Sequence, residues 1–449
     1  MFFQSLFIAL VYCQARCRKI HDRVEIRDMQ ASDRLAYFDA IKALAANRTQ
    51  GQSEYDRIVK IHVLNARNIH MTPLFLPWHR HYLYHFQMKL FELNSSIVIP
   101  YWDTGMDSQK PEESEIFTRD FYGGTGNEIL DHCLANGQFT GMRVTVEDQQ
   151  PNGTFRRCIR RQFDGKTKIS PFFSSDTISP IIRNNNFTEF TSQIETGPHA
   201  PPHNNIGGQR GHMGRMSSPN DPIFWIHHAN VDYWYAQWQD SFGKDNYIPG
   251  KENDPLPHFS PTTVKDTFDT LAYPYCYRYV PKIVPPVNPS PEQTPSDQGQ
   301  PQPNNPSTSQ NIQPIVTQLV ITDLHRRQNT PALGSNPDQL LLALKEACPA
   351  NVCPDAFDRN DLRRLRVPKP TPLRWILMNN LDLVEVRRQE IANAMLIFAL
   401  NRNENYQSKD SIGMWSYYHY TSSSSRTSSQ SNRTSRSRQV TRTILSNTG

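Results

Sequence analysis

The chain of 449 residues has no internal repeat at a fixed period, which excludes a stacked-repeat architecture. Beyond its first dozen residues it has no apolar run near the ~20 residues that a bilayer-crossing helix needs. Unbalanced charge is also scarce. The net charge is +5, and residues 421–449 alone carry five arginines and no acid. The remainder is close to neutral, so composition gives no reason to expect a nucleic-acid partner. The Ser/Arg-rich tail, residues 406–449, has too little apolar content to pay for folding and reads as disordered.

What is present is enough for a large core: 37% hydrophobic residues, 10% aromatic. Residues 2–12 form one short apolar run, which fits the middle of a secretory signal peptide spanning residues 1–15, although the usual basic start is missing. Removing it would leave six cysteines, Cys17, Cys133, Cys158, Cys276, Cys348 and Cys353. Three disulfides are then possible, and their pairing is open. Sequons for N-glycosylation stand at Asn47, Asn94, Asn152, Asn186 and Asn432. The expected location is secreted, extracellular.

Helical spacing of Leu35, Phe38, Ile41 and Leu44 predicts an amphipathic helix within residues 28–47. Residues 55–66 and 78–93 read as two more helices, and 97–102 as an extended segment. Residues 103–180 look like long connections held by Cys133 and Cys158. The turn Pro219-Asn220-Asp221-Pro222 starts a helix at 222–240, with Asp221 as its N-cap. Phe224, His228, Val231, Tyr235 and Trp238 recur on it as an apolar stripe. From 281 to 314 Pro, Gln, Ser and Asn dominate, as in an extended linker. A small C-terminal unit at 315–405 follows, with a strand at 315–321 and helices at 340–347 and 387–400. The expected class is mainly α: a folded domain at 16–280, then linker, small unit and tail.

Histidines carry the chemistry. His199 and His203 are four apart, a spacing that puts both rings on one helical face. Pro201 and Pro202 between them suit a first helical turn. His228 follows on its apolar stripe, making one three-histidine set. His62 on a helix, His70 on a loop and His79 at the next helix start make another. Imidazoles without cysteine or carboxylate suit copper, zinc, iron or nickel, and nitrogen coordination alone does not choose among them.

The segments His70-Met-Thr-Pro-Leu-Phe-Leu-Pro-Trp-His79-Arg80 and Asn220-Asp221-Pro222-Ile-Phe-Trp-Ile-His-His228-Ala-Asn-Val-Asp232 resemble the two copper-binding signatures of tyrosinases, catechol oxidases and molluscan-type haemocyanins. The resemblance runs from about residue 35 to 280 and is closest in feel to the secreted animal members. It implies two copper ions in a four-helix bundle, one on His62, His70 and His79, the other on His199, His203 and His228. It implies an enzyme oxidising o-diphenols to o-quinones with dioxygen, with monophenols as a second candidate substrate class. Two other roles fit the same residues: a haemocyanin-like dioxygen binder, and an inactive binding protein on the same fold. By position Phe224 would pack on the copper pair and Glu195 would hold a water near the second copper. Arg215 would gate substrate access, Arg80 and Asp232 would pair, and Tyr275 and Tyr277 would close the domain. His227 is read as a structural neighbour, and His81 with His85 as a pair facing away from the site. Three departures stand out. Asn68 occupies a position where some members carry a thioether-forming cysteine. Ala200 replaces an asparagine common after the first histidine of the second set. The step from His62 to His70 is only eight residues.

Overall fold

The computed structural model describes residues 16–282 and 364–402, with 406 and 408. The expected signal peptide, the strand at 315–321, the helix at 340–347, Cys348 and Cys353 lie outside them. Seven helices form the body: α1 (Ala31–Ala46), α2 (Glu54–Ile69), α3 (Phe75–Leu93), α4 (Ser175–Ile182), α5 (Phe187–Thr196), α6 (Ala200–Gly207) and α7 (Ile223–Phe242). Two more, α8 (Leu373–Met378) and α9 (Leu383–Arg402), belong to the C-terminal segment. Among the described residues, sheet is confined to two-stranded pairs. Among them β1 (His21–Arg23) runs parallel to the last body strand (Tyr277–Tyr279), bringing both ends of the domain together. The Cys17–Cys276 disulfide staples that seam, and Cys133–Cys158 closes a loop in the long connections.

Local chemistry sets the helix starts. Ser53 and Asp56 form a reciprocal capping box at the start of α2, and Asp56 also takes Arg48 at 2.8 Å. Helix α3 begins three residues earlier than expected, at Phe75, because Pro77 is tolerated in a first turn where no N–H is needed. Helix α7 begins at Ile223, one residue later than expected. Asp221 does accept from the Ile223 N–H at 3.3 Å, but its main partner is Arg161, whose Nη2 and Nε reach its two oxygens at 2.7 and 2.9 Å. Both side chains are fully buried. The remaining Arg161 donor goes to the carbonyls of Tyr122 and Gly123, so the pair ties the long connections to the start of α7.

The stripe on α1 keeps Phe38, Ile41 and Leu44 inside, while Leu35 is exposed and Tyr37 is buried in its place. Helix α7 departs further from a stripe. Trp225, Ile226 and His227 are as buried as Phe224 and His228, so the first half of this helix is surrounded on all sides, while Asp240 and Ser241 near its end are exposed. Trp225 stacks on Phe86 of α3 at 3.7 Å, and its indole N–H donates to the Tyr55 hydroxyl of α2. The three long helices that carry histidines are therefore locked together by aromatic contacts directly beside those histidines.

Candidate metal centre

Two buried groups of histidines face each other across the interior. One is His62, His70 and His79; the other is His199, His203 and His228, with His227 alongside. Within each group one ring nitrogen per residue lies within 4.8 Å of the rest. Helix α2 supplies His62 and, at its C-cap, His70; α3 supplies His79. His199 is the N-cap of α6 and His203 lies one turn on, with Pro201 and Pro202 in the first turn. His228 comes from α7. The groups meet where the His79 and His228 rings stack at 4.5 Å, and Phe224 lies 4.1 Å from His228 and 5.3 Å from His62.

The protons on these rings are placed by the acceptors around them. Nδ1–H of His62 donates to Met216 O at 2.7 Å, of His79 to Phe75 O at 2.8 Å, of His199 to Glu195 O at 3.0 Å and of His203 to Met213 O at 2.8 Å. A carbonyl can only accept, so each of these rings turns an unprotonated Nε2 inward. Met213 reaches His203 because Gly207 has no side chain: a Cβ there would stand 2.0 Å from Gly214 N. His227 Nε2–H donates to His199 O at 3.1 Å and so helps fix that ligand's backbone. Burial depresses every ring's pKa, that of His62 to about 4, so all stay neutral and able to coordinate near pH 7.

Beneath the site a buried charge network joins the ligand helices. Arg80 Nε donates to Asp232 Oδ1 at 2.6 Å, and Arg23, Tyr277 and Tyr279 converge on Oδ2. The expected Arg80–Asp232 pair is thus present, and Tyr277 closes the domain through it. Tyr275 goes elsewhere, to His81 Nδ1 at 2.8 Å. His81 and His85 lie against Phe259, on the side of α3 away from the metal groups.

Residues 52–241 match the family model described as the common central domain of tyrosinase. A tyrosinase of Streptomyces glaucescens is 30% identical over 227 residues, 46% of this chain and 80% of that protein. One of Streptomyces lincolnensis is 31% identical, covering 41% of this chain and 68% of that one. Tyrosinase-like protein 1 of Margaritifera margaritifera is 32% identical over 49% of this chain and 45% of its own length. This chain belongs to the tyrosinase family. Among solved structures, it is similar to a polyphenol oxidase of Thermothelomyces thermophila at 22% identity and a TM-score of 0.47, over 58% of this chain and 89% of that one.

Membership of this type-3 dicopper family implies a dinuclear copper centre, and the histidines fit one. Nε2 of His79 and Nε2 of His199 are fully buried and have no hydrogen-bond partner. Leaving such a group unsatisfied costs about 1–3 kcal/mol, and a coordinated cation would remove that cost. No thiol lies in either group, and neutral nitrogen donors are what copper takes.

Glu195, on the last turn of α5, turns its carboxylate to the first group: Oε1 accepts from His70 Nδ1, and both oxygens take the Met71 N–H, all at 2.9 Å. Arg215 lies in the segment whose Met213 and Met216 carbonyls hold His203 and His62. Its guanidinium points outward to Gln209 O at 3.4 Å.

Trp375 has no counterpart in the sequence reading. Its indole stacks on His203 at 5.1 Å and lies 6.4 Å from His199. Neighbouring Arg374 clips the segment to the carbonyls of Gly208 and Gln209, at 2.6 and 2.9 Å. A lone tryptophan in Leu-Arg-Trp-Ile-Leu-Met, far from any motif, was the only available signal.

Proposed function

We propose that this tyrosinase-family protein is a dicopper oxidoreductase that oxidises o-diphenols to o-quinones, with dioxygen as electron acceptor. The observation that carries this reading is the pair of three-histidine groups facing each other across Phe224, with all six rings buried and neutral. Bound copper would supply electron transfer from the diphenol to dioxygen. The chain's own residues do the rest. His62, His70 and His79 hold one ion and His199, His203 and His228 the other. The stacked His79 and His228 rings keep the two sets face to face. Phe75, Phe224 and Trp78 exclude water from between them. Ala200, lying where many relatives have asparagine, supports diphenols over monophenols as substrates. Arg215 is assigned to substrate selection by its sequence position alone, and its charge would favour an anionic phenol. The test is copper content and quinone formation measured on one sample. Two coppers per chain with catechol turnover is the expected result. Fewer than two coppers would overturn the assignment.

A second element of the reading concerns residues 364–402. Trp375 covers one face of the His203 ring, and α9 packs against α4 and α5. We therefore read the intact chain as latent, with cleavage in the 281–363 stretch releasing activity. A dioxygen-binding protein would keep the same cover and show no catechol turnover after cleavage, which separates the two roles. Secretion fits both, since Cys17–Cys276 and Cys133–Cys158 persist best outside a reducing cytosol.

A further inference from the structure

We infer that Glu195 is the positioning residue that locks the two copper half-sites to each other; this rests on the dicopper reading above. Four of the six ligands, His62, His79, His203 and His228, lie inside helices. Packing on both sides of a helix body fixes the direction of such a side chain. The other two lie at helix ends, His70 as the C-cap of α2 and His199 as the N-cap of α6. These have the least support from their own backbone, and one residue holds both. The Glu195 carboxylate takes His70 Nδ1 at 2.9 Å, and its main-chain carbonyl takes His199 Nδ1 at 3.0 Å. The two rings so held stack across the centre at 6.1 Å.

The carboxylate does a second thing. Met71, next to His70, has φ +54, a left-handed conformation that non-glycine residues resist. Both Glu195 oxygens accept its N–H and hold it there. Among the rings with an Nδ1 partner, His70 alone faces a carboxylate, and the other four face main-chain carbonyls. A side-chain carboxyl at this distance fixes the imidazole's tautomer and holds its other nitrogen toward a metal. The two half-sites therefore depend on residue 195 in different ways. The ion on His62, His70 and His79 depends on its side chain. The ion on His199, His203 and His228 depends on its backbone, which no substitution removes.

The test is titration of copper(I) into the metal-stripped full chain, in competition with a chromophoric copper(I) chelator. Wild type should bind two ions; binding fewer than two would sink the dicopper reading and is read before any variant. In Glu195→Ala and Glu195→Asp one ion should bind as in wild type, and the other about 10- to 100-fold more weakly. Glu195→Gln, which keeps one acceptor oxygen of the two at the same reach, should recover part of that loss. A general loss of structure would weaken both ions together, so an equal effect on both overturns the proposal. So does unchanged affinity for both ions in Glu195→Asp. If Glu195→Ala does not fold, the aspartate and glutamine variants decide.

Discussion

In the first histidine group two ligands stand inside long helices and the third ends one. In the second, His199 and His203 flank the first turn of the short helix α6, and His228 alone comes from a long helix. The supports differ too. The first group has main-chain carbonyls behind His62 and His79 and a side chain, Glu195, behind His70, while the second has only main-chain carbonyls, of Met213 and Glu195, and lies under Trp375. The contrast separates two ways of fixing a metal ligand. A main-chain acceptor is supplied by backbone geometry whatever the side chain, and so tolerates substitution. A side-chain acceptor such as Glu195 can be removed by a single mutation.

Substitutions can probe the symmetry of the two groups. The largest effect is expected from His228→Ala and His79→Ala. Each should leave one copper per chain by metal analysis, with quinone formation lost. If one of them retained two coppers, the equal division of ligands would be wrong. Next, Asp232→Ala should destabilise both groups together, because it strands Arg80 and Arg23 as buried unpaired charges. The expected cost in chemical denaturation is about 3–5 kcal/mol. Acid should act through the same rings. The folded state holds His62 near 4 against an ordinary 6.5, so the unfolded chain binds the extra proton between those values. Stability of the metal-free protein should therefore be full above pH 6.5 and fall on the way to pH 4. This ring alone contributes of order 3 kcal/mol, read as the shift in urea midpoint.

Trp375→Ala tests the roof over the second group. Losing an aromatic stacking contact of about 0.5–1.5 kcal/mol should raise catechol turnover of the intact chain by roughly two- to tenfold. No change in turnover, with copper retained, would show that the indole does not limit access. The smallest effect is expected from Arg215→Ala, which should alter the relative rates on anionic and neutral catechols by a few-fold. Unchanged relative rates would remove Arg215 from substrate selection.

The sequence by itself determined the helices that carry the ligands and the residues that could be ligands. Its signals were local: Pro201 and Pro202 in a first turn, a four-residue histidine step, the apolar residues around His228. Helix boundaries shifted where a proline was tolerated, as at Pro77, or where a cap took another partner, as Asp221 took Arg161. Helix α7 looked striped but is buried all round in its first half, because a one-sided pattern cannot reveal neighbours on the other sides. Only the tertiary structure decided what holds the rings. Acceptors such as Met213 O, Met216 O and Phe75 O belong to the backbone and leave no residue-type signature. The turn of Glu195 toward His70, 125 positions away, and of Trp375 onto His203 depended on chain segments meeting in space. Ligand identity is written in side-chain type and spacing; ligand orientation depends on which main-chain carbonyls and remote side chains folding brings within reach.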